Sequence, residues 1–222
     1  MTPLHRHQIA WLSRAGWQLL LADAWDSVAR DCLLHWAGHS LPVVVTRQPE
    51  DDGETVALGL CAPRRWQRRR LALRVPLADV LYFDEFPRLD QVLGQLPASA
   101  RAAARRLAAQ LQACGVTARV YGSHGWQHLT GLDHLRDGSD LDLWVAVDDA
   151  AQADAVTAAL GEFTAPTLRL DGELVFDGTA AVAWREWQAW REGRTRTLLV
   201  KRLHGAAMAD SLSMLEGAEV MA

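Results

Sequence analysis

The chain has 222 residues, half of them hydrophobic, and a formal net charge of −4, which is enough apolar matter for one large domain or two small ones. That acidic balance excludes a general nucleic-acid binder, and the lack of any apolar run of about eighteen residues excludes a membrane-spanning helix. Cys32, Cys61 and Cys114 are odd in number, far apart and outside CxxC spacing, so neither a disulfide framework nor a structural zinc site is expected.

The first ten residues carry His5, Arg6 and His7 and no apolar stretch of signal length, so the expected address is the cytoplasm. From Trp11 to about Val80 short apolar runs alternate with turn residues. Leu41 to Val45, the acidic turn Glu50-Asp51-Asp52-Gly53 and Val56 to Leu60 read as a hairpin. Leu71 to Val75 reads as a further strand that stops at Pro76, which has no amide to donate. A linker is expected over 81–96.

The texture then turns helical. Ser99 is placed to cap an Ala/Leu/Arg-rich helix over 100–113, with Gly115 as its C-terminal stop. Ala118 to Tyr121 reads as a strand, Gly122-Ser123 as a turn, Trp126 to Leu135 as a short helix and Leu141 to Val147 as a buried strand. Asp149 to Leu160 reads as a helix. Leu168 to Phe176 and Ala181 to Trp187 read as strands meeting at the turn Asp177-Gly178. Thr197 to Leu203 is a last strand before an expected C-terminal helix. The fold class expected is α+β: a small β-rich N-terminal domain over 1–85, then an α/β domain with a mixed sheet over 86–222.

Chemistry concentrates in the second half. Asp140 and Asp142 are two apart at the start of a strand, so both carboxylates reach one face while Leu141 and Leu143 enter the core. Two such anions repel unless a cation sits between them, and hard oxygen donors on a rigid strand suit Mg²⁺, or Mn²⁺, better than zinc. Upstream, Gly122 and Ser123 stand between a strand and a helix, where backbone amides and the Ser123 hydroxyl can grip a phosphate. Anion grip and metal clamp on neighbouring strands make a nucleotidyltransferase-like device. A third carboxylate belongs on an adjacent strand, and Asp171 and Glu173 are both candidates. The reading favours Glu173, because Leu174 and Val175 continue the strand whereas Asp171-Gly172 has the composition of a turn or bulge.

Other residues carry weaker signals. Lys201, on an apolar strand, can reach a phosphate as a point charge or snorkel to solvent. His124 and His128 share a helix face without a third zinc-type ligand nearby. Arg64, Arg65, Arg68, Arg69 and Arg70 surround Trp66, as a docking patch for an acidic partner or as a solvated loop. The ten tryptophans read mainly as core and interface filler.

The run Arg119 to Gly131, continued through Ser139-Asp140-Leu141-Asp142-Leu143, resembles the phosphoribosyl-dephospho-CoA transferases of malonate decarboxylase systems. The likeness extends to Trp36 to Arg47, to Gly59-Leu60 with Pro63, to Arg169 to Glu173 and to Ala183 to Glu186, nearly the whole chain. The resemblance implies transfer of a 2′-(5-phosphoribosyl)-3′-dephospho-CoA group from its triphosphate precursor to a serine of the acyl carrier protein subunit of malonate decarboxylase, releasing diphosphate. In that frame Asp140, Asp142 and Glu173 or Asp171 hold the metal, and Gly122, Ser123 and Lys201 contact phosphates. The partners expected are the carrier protein and triphosphoribosyl-dephospho-CoA, with no nucleic acid and no membrane. Two competing readings are a nucleotidyltransferase adding an NMP to a small molecule or another protein, and a non-catalytic binding module, which the retained carboxylates disfavour.

Overall fold

A computed structural model describes residues 4–49 and 53–215. The tip of the expected acidic turn, at 50–52, and the end of the expected C-terminal helix, at 216–222, lie outside the described residues.

The N-terminal half begins with β1 (Ile9–Leu12), α1 (Arg14–Ala22) and α2 (Ser27–Gly38). The β-rich reading missed both helices, yet each carries a cap that sequence offers. The Ser13 hydroxyl accepts from the Gly16 amide and the Asp26 carboxylate from the Val28 and Ala29 amides, filling donors that a helix start leaves orphaned. β2 (Val43–Val45), β3 (Thr55–Cys61), β4 (Arg70–Pro76) and β5 (Val80–Asp84) complete a five-stranded antiparallel sheet ordered β4-β3-β2-β1-β5. β5 replaces the start of the expected linker: it pairs with β1 as the edge strand. One sheet face packs on α1 and α2 through Trp17, Leu20, Leu33, Trp36, Leu58 and Leu60. The alternate residues, among them Val44, Gly59 and Ala72, face the other way.

The second half opens with α3 (Leu89–Val92) and α4 (Ala98–Ala113), which Pro97 rather than Ser99 precedes. Then come β6 (Ala118–Tyr121), α5 (Gly122–Thr130), β7 (Leu141–Val147), α6 (Ala150–Gly161), β8 (Leu170–Phe176) and β9 (Ala180–Ala183). α7 (Trp184–Arg191) takes most of the expected 181–187 strand. Its tryptophan spacing suits a helix, with Trp184 and Trp187 buried on one side. β10 (Leu198–Lys201) and β11 (Ala206–Ala209) form a hairpin, so a further strand follows the one expected to be last, where a helix was expected.

These strands form a mixed sheet ordered β11-β10-β9-β8-β7-β6. Every neighbouring pair is antiparallel except β7 and β8, which run parallel and therefore need a crossover, supplied by α6. Leu141, Leu143, Val145 and Val147 point into a core shared with Leu107 of α4, Val156 of α6 and Trp187 of α7. The opposite face of β7 and β8 carries the acidic residues. A small cluster of Ile9, Phe86 and Trp126, with Val44, Cys61 and Tyr121 against it, ties the two sheets together beside that face.

Candidate active site

Gly122 is the first residue of α5, not part of a turn before it. Tyr121 pairs with Asp142 across the antiparallel β6–β7 ladder, so the helix starts directly over the Asp142 side chain. A Cβ at Gly122 would stand 2.0 Å from Asp142 Oδ2, and the residue has φ +63°, so both space and backbone require glycine there. Ser123 follows in the first turn, where amides have no helical partner and can meet an anion. Gly172 meets a comparable demand: with φ +153°, a Cβ there would lie 2.2 Å from the Leu143 carbonyl oxygen.

Register decides which carboxylates meet. In the parallel β7–β8 pair Asp142 lies opposite Asp171, whereas Glu173 lies opposite Trp144, one step further along. Asp171 and Gly172 are both inside β8, so the turn that made Glu173 the favoured third carboxylate does not form. Asp140 precedes β7 and is held by a two-pronged contact from Arg169, Nε to Oδ1 at 2.9 Å and Nη2 to Oδ2 at 2.5 Å. Asp171 is half-exposed, with Arg169 and Arg185 each 3.9 Å away.

Among the described residues Asp142 has no comparable partner. Burial, then the neighbouring charges of Asp140 and Asp171, push its carboxyl up to about 7 against the pull of Arg169. Glu173 is the opposite case. Burial alone would raise it, but His7 and Lys201 outweigh that and hold it down at about 2. Lys201 Nζ donates to Glu173 Oε1 at 2.7 Å, and His7 Nε2 stands 3.4 Å from Oε2. Glu173 thus has one oxygen on Lys201 and the other, Oε2, buried without a hydrogen-bond partner among the described residues.

Two depressions meet at Gly122 and Asp142. One, of about 400 Å³, is lined by Ser123, Ser139, Asp140, Arg68, Arg70 and Arg136. The other, of about 870 Å³, opens between the sheets past His7, Tyr121 and Lys201. Sequence reasoning missed His5, His7 and Tyr121. The N-terminal segment lies on the acidic face, with His5 stacked on Trp144 at 5.2 Å and His7 against Tyr121 at 4.3 Å. Only the unusual density of polar rings ahead of β1 hinted at this.

The remaining candidates fall outside the cluster. His124 is buried, which lowers its pKa, and His128 is exposed and bonded to Gln95 at 3.0 Å. The arginine cluster divides. Arg65 covers the Trp66 ring at 4.6 Å, Arg69 pairs with Asp26, and Arg68 donates to the His134 and Leu135 carbonyls while bordering the smaller pocket. Cys32 is buried, its thiol pushed up to about 12 by that burial, as befits a small hydrophobe.

Among the described residues no three His, Cys, Asp or Glu side chains already converge on one point as a metal cage. The donor chemistry of Asp140, Asp142 and Asp171 nevertheless fits a hard divalent cation: three carboxylates crowd together, and Asp142 resists ionisation without a further positive charge. Among the described residues no helix is long and apolar enough to cross a membrane.

A mixed α/β fold with this carboxylate cluster under a glycine-initiated helix defines the class: the chain is a transferase. It belongs to the phosphoribosyl-dephospho-CoA transferase family. The model of that family's N-terminal domain matches residues 5–86 and that of the MdcG C-terminal domain residues 88–211. The chain is 35% identical over 218 residues to a phosphoribosyl-dephospho-CoA transferase of Bradyrhizobium diazoefficiens, covering 97% of this chain and 94% of that one. It is 34% identical to the protein of that name from Xanthomonas euvesicatoria, over 88% of this chain and 89% of the other, and 34% identical to one from Pseudomonas putida, over 74% and 76%. No solved structure matches the chain.

Proposed function

We propose that this transferase moves the 2′-(5-phosphoribosyl)-3′-dephospho-CoA group from its triphosphate precursor to a serine of the acyl carrier subunit of malonate decarboxylase. The observation that carries the reading is Asp142 beneath the amino end of α5, opposite Asp171 and within reach of the Asp140 charge, because a polyphosphate needs both an amide grip and a place for charge neutralisation. The family membership supports the donor; the carrier serine is inferred from the reaction class.

In this reading the serine oxygen attacks the phosphorus nearest the ribose. A new P–O bond forms, the bond to the outer two phosphates breaks, and diphosphate leaves with the electron pair. The hydroxyl proton passes to a carboxylate of the cluster. Asp140, Asp142 and Asp171 would hold Mg²⁺ or Mn²⁺, which when bound neutralises charge on the reacting phosphate and on the leaving diphosphate. Gly122 and Ser123 present the helix amides to the phosphates. Ser139, Arg68 and Arg136 border the smaller pocket, where diphosphate departs. Glu173 positions Lys201 and His7 at the edge of the larger cleft.

The test is mass spectrometry of the apo carrier subunit after incubation with the protein, Mg²⁺ and the triphosphate precursor, with ATP as the comparison donor. A mass gain equal to the phosphoribosyl-dephospho-CoA group is expected. A gain with ATP alone would replace this reading by nucleotidyl transfer from an ordinary NTP, and no gain with either donor would remove the assigned activity.

A further inference from the structure

The two depressions at Asp142 differ in size and lining, and their common border holds the groups to which the chemistry was assigned. Gly122 and Asp142 belong to both, as does Arg70. A donor with its reacting phosphorus at that border must send its leaving diphosphate one way and the rest of the molecule the other. The 400 Å³ pocket is rimmed mainly by polar and charged side chains, among them Ser123, Ser139, Arg68 and Arg136. The 870 Å³ cleft is at the large end of what ligand sites reach, about 300–1,000 Å³, and combines an apolar floor with a few fixed cations, as such sites do.

Those cations stand on backbone that the fold pins. Arg47 lies between Thr46 and the buried Gln48, whose side chain donates to the Thr46 and Ala57 carbonyls at 2.9 and 2.8 Å and accepts from the Ala57 amide at 2.8 Å. The Gln48 amide also donates to the Leu203 carbonyl of the other half at 2.8 Å. Arg6 lies between His5, whose ring is bonded to Glu85 at 2.8 Å, and His7, whose amide donates to the Val45 carbonyl. Arg70 is paired to Cys61 in the β3–β4 ladder. Among the described residues none of these three guanidinium groups is paired with a carboxylate, while Arg69, Arg88, Arg169 and Arg191 are. Between them the floor is Val44, Gly59 and Ala72, low side chains that leave the cleft open. A Cβ at Gly59 would lie 2.9 Å from Thr46 Cγ2, so that floor is already filled to contact.

We propose that the cleft between the two sheets is the binding site for the 3′-dephospho-CoA part of the donor, with its internal diphosphate on Arg6, Arg47 and Arg70. This rests on the donor assigned above and adds where its coenzyme half sits. Charge and shape both favour it: the arginines that line the cleft have no carboxylate partner among the described residues, and the apolar floor accepts an extended pantetheine arm. The N-terminal sheet thereby becomes the coenzyme-reading half of the enzyme, and the carboxylate face the reacting half.

Isothermal titration with 3′-dephospho-CoA alone, without metal, tests the assignment, with tripolyphosphate as a second probe. The wild-type protein should bind 3′-dephospho-CoA. Arg47→Ala and Arg6→Ala should each weaken that binding about tenfold and leave tripolyphosphate binding within twofold. Arg47→Glu, at an exposed position, gives a second variant with a larger expected loss, and circular dichroism checks that each variant folds. If the arginine variants bind 3′-dephospho-CoA as tightly as wild type, the site is elsewhere. Absence of wild-type binding while carrier modification still proceeds would overturn this assignment and leave the proposed reaction standing. Binding that depends on Arg47 in a protein that modifies no carrier would sustain the site and remove the reaction.

Discussion

Gly122 and Asp142 are locked together: the α-carbon of the first helical residue of α5 sits against the carboxylate that its partner strand presents, with no room for a methyl group. This single contact couples the helix amides to the carboxylate cluster, so neither can shift without the other.

Gly122→Ala tests that coupling. The new Cβ must displace the Asp142 side chain, and alanine in the left-handed region adds a backbone cost of about 1 kcal/mol. Transfer activity should fall at least about 100-fold, the scale on which a misplacement of about 1 Å acts on positioned catalysis. Thermal denaturation should show a folded protein with a Tm lowered by a few degrees. A Gly122→Ala enzyme with near-normal kcat/KM would show that Asp142 can move without consequence.

Asp142→Asn should separate stability from function. A folded-state carboxyl at about 7, against an ordinary 3.8, means that the native state resists losing this proton, so the ionised group costs stability increasingly as pH rises from about 4 to 7. Allowing for partial solvent screening, the penalty is about 1–3 kcal/mol at pH 7.5. The asparagine variant should therefore melt several degrees higher than wild type at pH 7.5 and equal it near pH 4, while losing transfer activity. Added Mg²⁺ should raise the wild-type Tm and leave that of the variant nearly unchanged, since a ligand stabilises only the state that binds it. A variant less stable than wild type at pH 7.5 would refute the crowded-carboxylate account.

How much of this was legible beforehand depends on which contacts are local. The alternation around Asp142 placed β7 correctly, and the strand, glycine, helix order placed Gly122 beside it, because both are short-range patterns. The surroundings of Asp171 and Glu173 were not legible: they turn on a parallel register set by the α6 crossover, and on Lys201 and His7, which arrive from opposite ends of the chain. The helices at 14–38 did leave a local signal: Ala29, Cys32, Leu33 and Trp36 recur at helical spacing behind the cap Asp26, and Ser13 caps the helix before it. The 181–187 segment misled because alanine, valine and tryptophan suit either a buried strand or a helix, and the break falls between Ala183 and Trp184.

Glu173 supplies a prediction of opposite sign to Asp142. Its carboxyl, brought down from 4.5 to about 2, contributes stability that is fully present above about pH 4.5 and is lost as pH falls towards 2. Glu173→Gln leaves the Lys201 ammonium facing a neutral amide and should cost about 2–3 kcal/mol at pH 7.5. Urea unfolding of both proteins at several pH values measures this: the gap should be constant from pH 5 to 7.5 and close as pH drops below 4. If instead the glutamine variant matches wild type in stability but no longer responds to Mg²⁺, Glu173 is a metal ligand and its assignment as the anchor of Lys201 and His7 fails.

His134 makes the junction between the halves sensitive to mild acid. Its ring stacks on Trp126 at 6.1 Å, meets the edge of Trp36 and lies 3.1 Å from the Thr130 hydroxyl, while its own carbonyl accepts from Arg68 at 2.8 Å. Burial, helped by the Arg68 charge and opposed by Asp133, lowers its pKa from 6.5 to about 4. Between those values the unfolded chain binds a proton that the native ring refuses, so stability is lost as pH falls from about 6.5 to 4, by at most about 3 kcal/mol. His134→Gln, which keeps a donor for Thr130 and takes up no proton, should flatten that part of the profile even if it lowers stability overall. Denaturation midpoints at pH 4.5, 5.5, 6.5 and 7.5 decide it: parallel curves for the two proteins would mean that another group carries the acid sensitivity, and a gap that narrows as pH falls would fix it on His134.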